Sequence, residues 1–354
     1  MKKRIVFFAC MILCGLLIAF HQEAAEAARQ GFLLWRDSVL PALLPFFVCT
    51  ALMQRVGALR PDEPAALFAL AFLSGAPSGA RLCGQLRAEG DSSDLTYAAA
   101  SLNALSPVFV CGAFASGMLH APSTAIALIT AQLLAMLACF AIAWKELPPK
   151  GRHSVPSEDS TPVAILFVGC IRDAVFSLLS ICGTIVFFSV LVKMLKITGL
   201  LFLLSYPLRF FIVLLGGEGV SAEAIFASLL EVASGSSLLA QCGLSLRLTV
   251  TVSAFSFSFC GLCIAAQSML FYPVRLGKYL IVKLVQGTVS AIVAYLLFPL
   301  CFRGAESVSA LPEQGEFLAN TLSAGVVFAV SLASMGVVML LCLAKRKKAN
   351  RTDG

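Results

Sequence analysis

The sequence predicts an all-α polytopic membrane protein, built as two inverted repeats with broken or re-entrant helices and flanked by a terminal helix at each end. Three observations predict it. Of 354 residues, 59% are hydrophobic and only 13% charged, with a mean hydropathy of +0.92, far from the balance of a soluble domain. Apolar runs long enough to cross a hydrocarbon core of about 30 Å, which takes roughly 20 helical residues, recur from one end to the other. Finally, the order of motifs in the first half returns in the second.

The blocks follow from the hydropathy pattern. Residues 1–22 form a membrane anchor helix after a basic start, Lys2-Lys3-Arg4. Ala25-Glu26-Ala27 leaves a cleaved signal peptide as the alternative reading. Residues 23–145 are the first membrane repeat, 146–161 a hydrophilic linker, 162–302 the second repeat, and 303–354 a transmembrane helix with a basic tail. Within the first repeat an amphipathic stretch precedes apolar runs near 38–56, 64–80, 95–118 and 121–145. Within the second, an amphipathic start at 163–173 precedes runs near 174–195, 198–216, 222–240, 248–270 and 277–301.

Four collinear matches carry the repeat. Arg36-Asp37 opens the first hydrophobic block as Arg172-Asp173 opens the second. FFVCTALMQRVGAL (46–59) resembles FFSVLVKMLKITGLL (187–201), LSGAPSG (73–79) resembles ASGSS (233–237), and LTYAAASLNALSP (95–107) resembles LTVTVSAFSFSFC (248–260). All four fall in the same order at shifts between 136 and 160. The basic flanks, including Lys145, Lys150 and Arg152, assign both termini and the linker to the cytoplasm. The acidic segments, with Glu23, Glu26, Glu306, Glu313 and Glu316, then lie outside. On that assignment the repeats are inverted, provided that one run, 64–80, is re-entrant.

The net charge of +7 resides in these short flanks, which excludes a phosphate-binding face and nucleic acid as a partner. Most of the thirteen cysteines sit in apolar runs and read as packing residues. Cys260 and Cys263 have redox or metal spacing, but no second pair or ligand-spaced histidines accompany them, so no metal or other cofactor is expected. There is no P-loop, GxSxG or HExxH, and no catalytic residue is assigned.

Polar and helix-breaking residues inside apolar runs mark the candidate solute site. Ser74, Gly75, Pro77, Ser78 and Gly79 interrupt the first repeat, and Glu231, Ser234, Gly235 and Ser236 the second. Irregular backbone at membrane depth is tolerated only where protein or a polar cavity satisfies its N–H and C=O groups. The plainer reading is that small residues let helices approach closely. Asn103, Ser106, Ser256 and Gln267 are further polar groups that should face the interior, as ligand contacts or as single interhelical hydrogen bonds. Glu231 is expected to couple transport to a proton or cation, a structural ion pair being the alternative. Arg81 is expected to face an anion through its planar fork, or else to anchor the chain at the cytoplasmic surface together with Arg87. Arg36-Asp37 and Arg172-Asp173 read as structural, and Leu128 is expected to face lipid.

The stretches GFLLWRDSVLPALLPFFVCTAL, LSGAPSGARLCGQLRAEG and NALSPVFVCGAF make the chain resemble the sporulation integral membrane proteins of the YlbJ type, within the nucleoside-recognition or Gate domain proteins. The resemblance runs from about Gly31 to Leu297. It implies paired Gate-like repeats, a role in endospore formation, the outer forespore membrane as location, and dipicolinate as cargo. RVGALRPDEPA (55–65) is shorter than that pattern, and the second-half motif less glycine-rich. The expected function is therefore a bacterial membrane carrier for a small polar or anionic solute, with the lipid bilayer and the solute as its partners. A nucleoside-type transporter and a sporulation scaffold or sensor without transport are the alternatives.

Overall fold

The computed structural model describes residues 2–56, 64–86, 94–147, 162–214 and 220–301. The C-terminal block 303–354, nearly all of the linker 146–161, and Arg87 lie outside the described residues. What is described is helical throughout, an all-α polytopic membrane protein. Four helices are long and apolar enough to span a bilayer: Thr124–Glu146, Val163–Ile197, Leu246–Phe271 and Leu276–Cys301. A helix pair, Phe7–Ala19 and His21–Asp37, is apolar enough for a further span only when taken together, and is bent by 99°, the shape of a broken span or a re-entrant loop.

In chain order the helices are α1 (Lys2–Ala19), α2 (His21–Leu34), α3 (Leu40–Arg55), α4 (Pro64–Ser74), α5 (Ser78–Leu86), α6 (Thr96–Leu102) and α7 (Thr124–Ala143). Then follow α8 (Val163–Ile197), α9 (Leu200–Leu214), α10 (Val220–Leu230), α11 (Val232–Gln241), α12 (Leu246–Phe259), α13 (Gly261–Phe271) and α14 (Leu276–Cys301). A wide π turn over Trp35–Val39 joins α2 to α3. It lies just ahead of Pro41, whose ring would crowd the carbonyl of Asp37 in a regular helix, and the wider turn makes room. A second wide stretch, Phe109–Met118, follows Pro107.

The amphipathic starts are not separate elements. No proline lies between 163 and 197, and α8 runs unbroken for 35 residues, while α2 continues through the π turn into α3. The apolar runs downstream are instead broken, within 64–80 and at Glu231 as expected, and also at Asn103–Pro107 and at Cys260. Element order is then the same on both sides of the linker: long helix, short helix, break, half-helix, short helix, break, half-helix, long helix. α1 and α9 have no counterparts among the described residues.

Burial separates the lipid face from the centre. Of the best apolar window in Leu246–Phe271, 72% is buried, against 28% for α8 and for α14. Phe176, Phe187, Ile281 and Leu296 project outward from α8 and α14, apolar surface that a bilayer covers at no hydrophobic cost. Leu128, expected at the lipid, is 1% exposed. The correction has a simple cause: α7 packs against α6, α12 and α14 at once, so a uniformly apolar helix is here central rather than peripheral.

Contacts between the halves are reciprocal. α5 touches α13 while α11 touches Phe109–Met118, and α6 touches α14 while α12 touches α7.

Candidate functional site

The four breaks meet one another. Gly75 has φ of +73°, a conformation glycine adopts freely, and a Cβ there would lie 2.6 Å from the amide nitrogen of Ser106. The Ala76 amide donates to the carbonyl of Ala104 at 2.6 Å, and the Ala80 amide to Oδ1 of Asn103 at 3.3 Å. From Asn103 the contact passes to the second half, where the Cys260 thiol reaches its carbonyl at 3.7 Å. Gly261 then abuts the last carbonyls of α10, 3.2–3.3 Å from the position of a Cβ, immediately before Glu231. Backbone groups freed by the first break are thus largely satisfied inside the protein.

Between these breaks lies a cavity of about 50 Å³, bounded by Ala76, Ser106, Glu231, Val232, Ala233, Cys263 and Gln267, with apolar walls from Leu43, Phe109 and Ile185. At about 10–15 Å³ per water it has room for a few water molecules. Glu231 is buried and caps α11: its carboxylate accepts from the Ala233 amide at 2.8 Å, from the Ser234 amide at 2.5 Å and from the Ser234 hydroxyl. Gln267 donates to the Thr184 hydroxyl at 2.5 Å. The Ser106 hydroxyl accepts from the Phe109 amide at 3.2 Å.

A second, smaller recess of about 20 Å³ lies on the other side of the broken segment. Ser74, Ser78 and Arg81 line it with Thr50 and Gln85. Arg81 is partly buried, in the electrostatic neighbourhood of Asp173 and Arg55, which pair at 2.7 Å and tie α3 to α8. The expected residues therefore divide into two groups rather than one site. Ser106, Glu231 and Gln267 reach the central cavity, Ser74, Ser78 and Arg81 the recess. Others serve packing: Gly79 against Leu102 and Gly235 against Ser228, Ser256 hydrogen-bonded to Ser228 at 2.8 Å, and Ser236 to the Val232 carbonyl. Cys260 and Cys263 are buried free thiols, and no cluster of three metal-ligating side chains occurs among the described residues. Arg36 pairs with its neighbour Asp37 at 2.6 Å, both exposed.

Comparison with known proteins gives one informative match. The chain is 24% identical to the sporulation integral membrane protein YlbJ of Bacillus subtilis (strain 168), with 81% of each chain covered. The chain is thus similar to that YlbJ protein along most of its length. No family model matches it, and no solved structure does.

A polar buried cluster joins Asn103, which the sequence singled out, to Ser268, Tyr279, Lys283 and Gln286, which it did not. Asn103 Nδ2 donates to Ser268 Oγ at 2.8 Å and to Tyr279 Oη at 3.0 Å. Lys283, 0% exposed, donates to the carbonyl of Asn103. Gln286 donates to the Ser101 carbonyl at 3.2 Å. Lys283 lies inside the apolar run 277–301, so the rule that singled out Glu231, an ionisable group within an apolar segment, also points to it. At the rim, Asp94 holds Lys278 at 3.0 Å and Arg275 at 3.3 Å. Burial opposes its charge, but hydrogen bonds from Thr96 and Lys278 and the charge of Arg275 outweigh that and set its pKa below the ordinary 3.8.

Proposed function

We propose that the protein is a membrane carrier for a small polar or anionic solute, with dipicolinate during endospore formation as the first cargo to test. One observation carries the reading: chain breaks from both halves converge on a single buried cavity lined by Ser106, Glu231 and Gln267. A scaffold has no need of polar, broken helices paired at membrane depth, where each break costs free energy. Reciprocal contacts between the halves support two inverted Gate-like repeats, the architecture in which alternating access comes from rocking one half against the other. The cavity in this state is too small for a pyridine dicarboxylate, so the solute-bound state is wider and joins it to the Arg81 recess across the segment Ser74 to Gly79. Relationship to a sporulation membrane protein supports the outer forespore membrane as the location.

A second cargo class has its own observation. The central cavity presents a carboxylate, an amide and a hydroxyl, and neither Lys nor Arg lines it, which favours a neutral solute rich in donors, such as a nucleoside. Uptake of dipicolinate and of nucleosides into proteoliposomes separates the readings. Arg81→Gln and Gly75→Val should abolish dipicolinate uptake, whereas a nucleoside carrier should tolerate Arg81→Gln. Leu296→Ala, at the lipid face, is the control. Folded protein that moves none of the solutes would reject transport and leave the scaffold.

A further inference from the structure

Lys283 has no acidic partner: it forms no ion pair among the described residues. Its Nζ instead faces three oxygens, the carbonyl of Asn103, the carbonyl of Ala100 at 3.4 Å and Oε1 of Gln286 at 2.9 Å, with the Cys260 thiol beside them. The three oxygens match the three N–H groups of an ammonium, whereas a neutral amine has only two. The two carbonyls lie at the C-terminal end of α6, where the chain breaks: that of Ala100 also accepts from the Asn103 amide at 3.2 Å, that of Asn103 from the Cys260 thiol, and each keeps a second lone pair for the ammonium. A break that turns carbonyls and an amide oxygen toward one point at membrane depth is the ligand set with which interrupted membrane helices hold a sodium ion.

We infer that Lys283 is a tethered cation filling an oxygen-lined monovalent-cation site at the α6 break. Its ammonium offsets the converging carbonyl dipoles, as a bound ion does in an open site, and fastens α14 of the second half to the first. Gln286 completes the arrangement by supplying one oxygen to the ammonium and one N–H to the Ser101 carbonyl. The site is thereby closed to metal ions, and its vacancy on truncation of Lys283 should open it. The inference rests on this cradle and not on the carrier reading, and the melting-temperature test distinguishes an inactive carrier from a wrong cation site.

The test is thermal unfolding of the full chain in lipid nanodiscs, in sodium, potassium, choline or ethylammonium chloride at equal ionic strength. The wild type should unfold at the same temperature in all four. Lys283→Ala should be lower in choline by about 4 °C or more, because two buried carbonyls and the Gln286 amide oxygen each lose a charged donor, and should recover in sodium, potassium or ethylammonium. Lys283→Met, which keeps the bulk but not the charge, should be lowered in every salt alike. If Lys283→Ala cannot be recovered folded, Lys283→Met and Gln286→Leu decide, the latter removing one oxygen and leaving the lysine. Both should be lowered, Lys283→Met the more. Three results would overturn the inference: a wild type stabilised by sodium over choline, Lys283→Met as stable as the wild type, or Lys283→Ala that folds and answers to no cation.

Discussion

Replacing Glu231 is the sharpest probe of the central cavity, because the structure gives its carboxylate a definite structural task. It is 1% exposed and accepts hydrogen bonds from two backbone amides and one hydroxyl at the start of α11. Glu231→Ala removes a helix cap, worth about 1 kcal/mol, and strands buried N–H groups at about 1–3 kcal/mol each. Some of that is returned because the carboxylate no longer has to be held out of water. A net loss of about 2–4 kcal/mol follows, and at roughly 2–4 °C per kcal/mol the melting temperature should fall by about 5–15 °C. Glu231→Gln keeps one accepting oxygen but turns an NH₂ group toward an N–H donor, so it should lose about 1–2 kcal/mol. Glu231→Asp retains a good capping group and should be the mildest of the three. Thermal unfolding in detergent ranks the variants, and solute uptake is read only on those that remain folded. Should Glu231→Ala melt within about 1 °C of the wild type, the capping role is wrong and the hydrogen bonds at α11 contribute nothing.

Three other outcomes follow from particular contacts. Gly79→Ala places a methyl 2.7 Å from Leu102 and 2.8 Å from Asn103 Oδ1, so it should cost about 1–3 kcal/mol, whereas Gly112→Ala, with nothing within 4 Å, should be neutral in the same melt. Asp94 has a depressed folded pKa, so its contribution is present above the unfolded value and is lost as pH falls through the folded one. The stability gap between wild type and Asp94→Asn should therefore hold at pH 7 and close below about pH 4; a gap unchanged down to pH 3 refutes the pairing with Lys278. Impermeant labelling of single cysteines should reach position 313 from outside and position 155 only after the membrane is opened, and an externally labelled linker would defeat the inverted arrangement.

The sequence alone determined the class of the fold, since lipid leaves the backbone only helices or a closed barrel, and continuous apolar runs of about 20 residues suit helices and not alternating barrel strands. It also located the breaks near Gly75 and Glu231, because glycine, proline and a carboxylate disrupt an apolar helix through purely local physics. The sporulation relationship was legible in the motifs around Pro41 and Gly75. What partners each polar residue finds was decided only by the tertiary structure. Nothing in the spacing of Asn103, Ser268, Tyr279 and Lys283 brings them together: α13 and α14 reach α6 across more than 160 residues of chain. Nor does local pattern place Arg81 and Glu231 in separate cavities, because that depends on which side of the broken segment each half-helix leaves. Leu128 shows the same limit, for an evenly apolar helix meets lipid and protein equally well, and only the packing of α7 between α6, α12 and α14 put it at the centre.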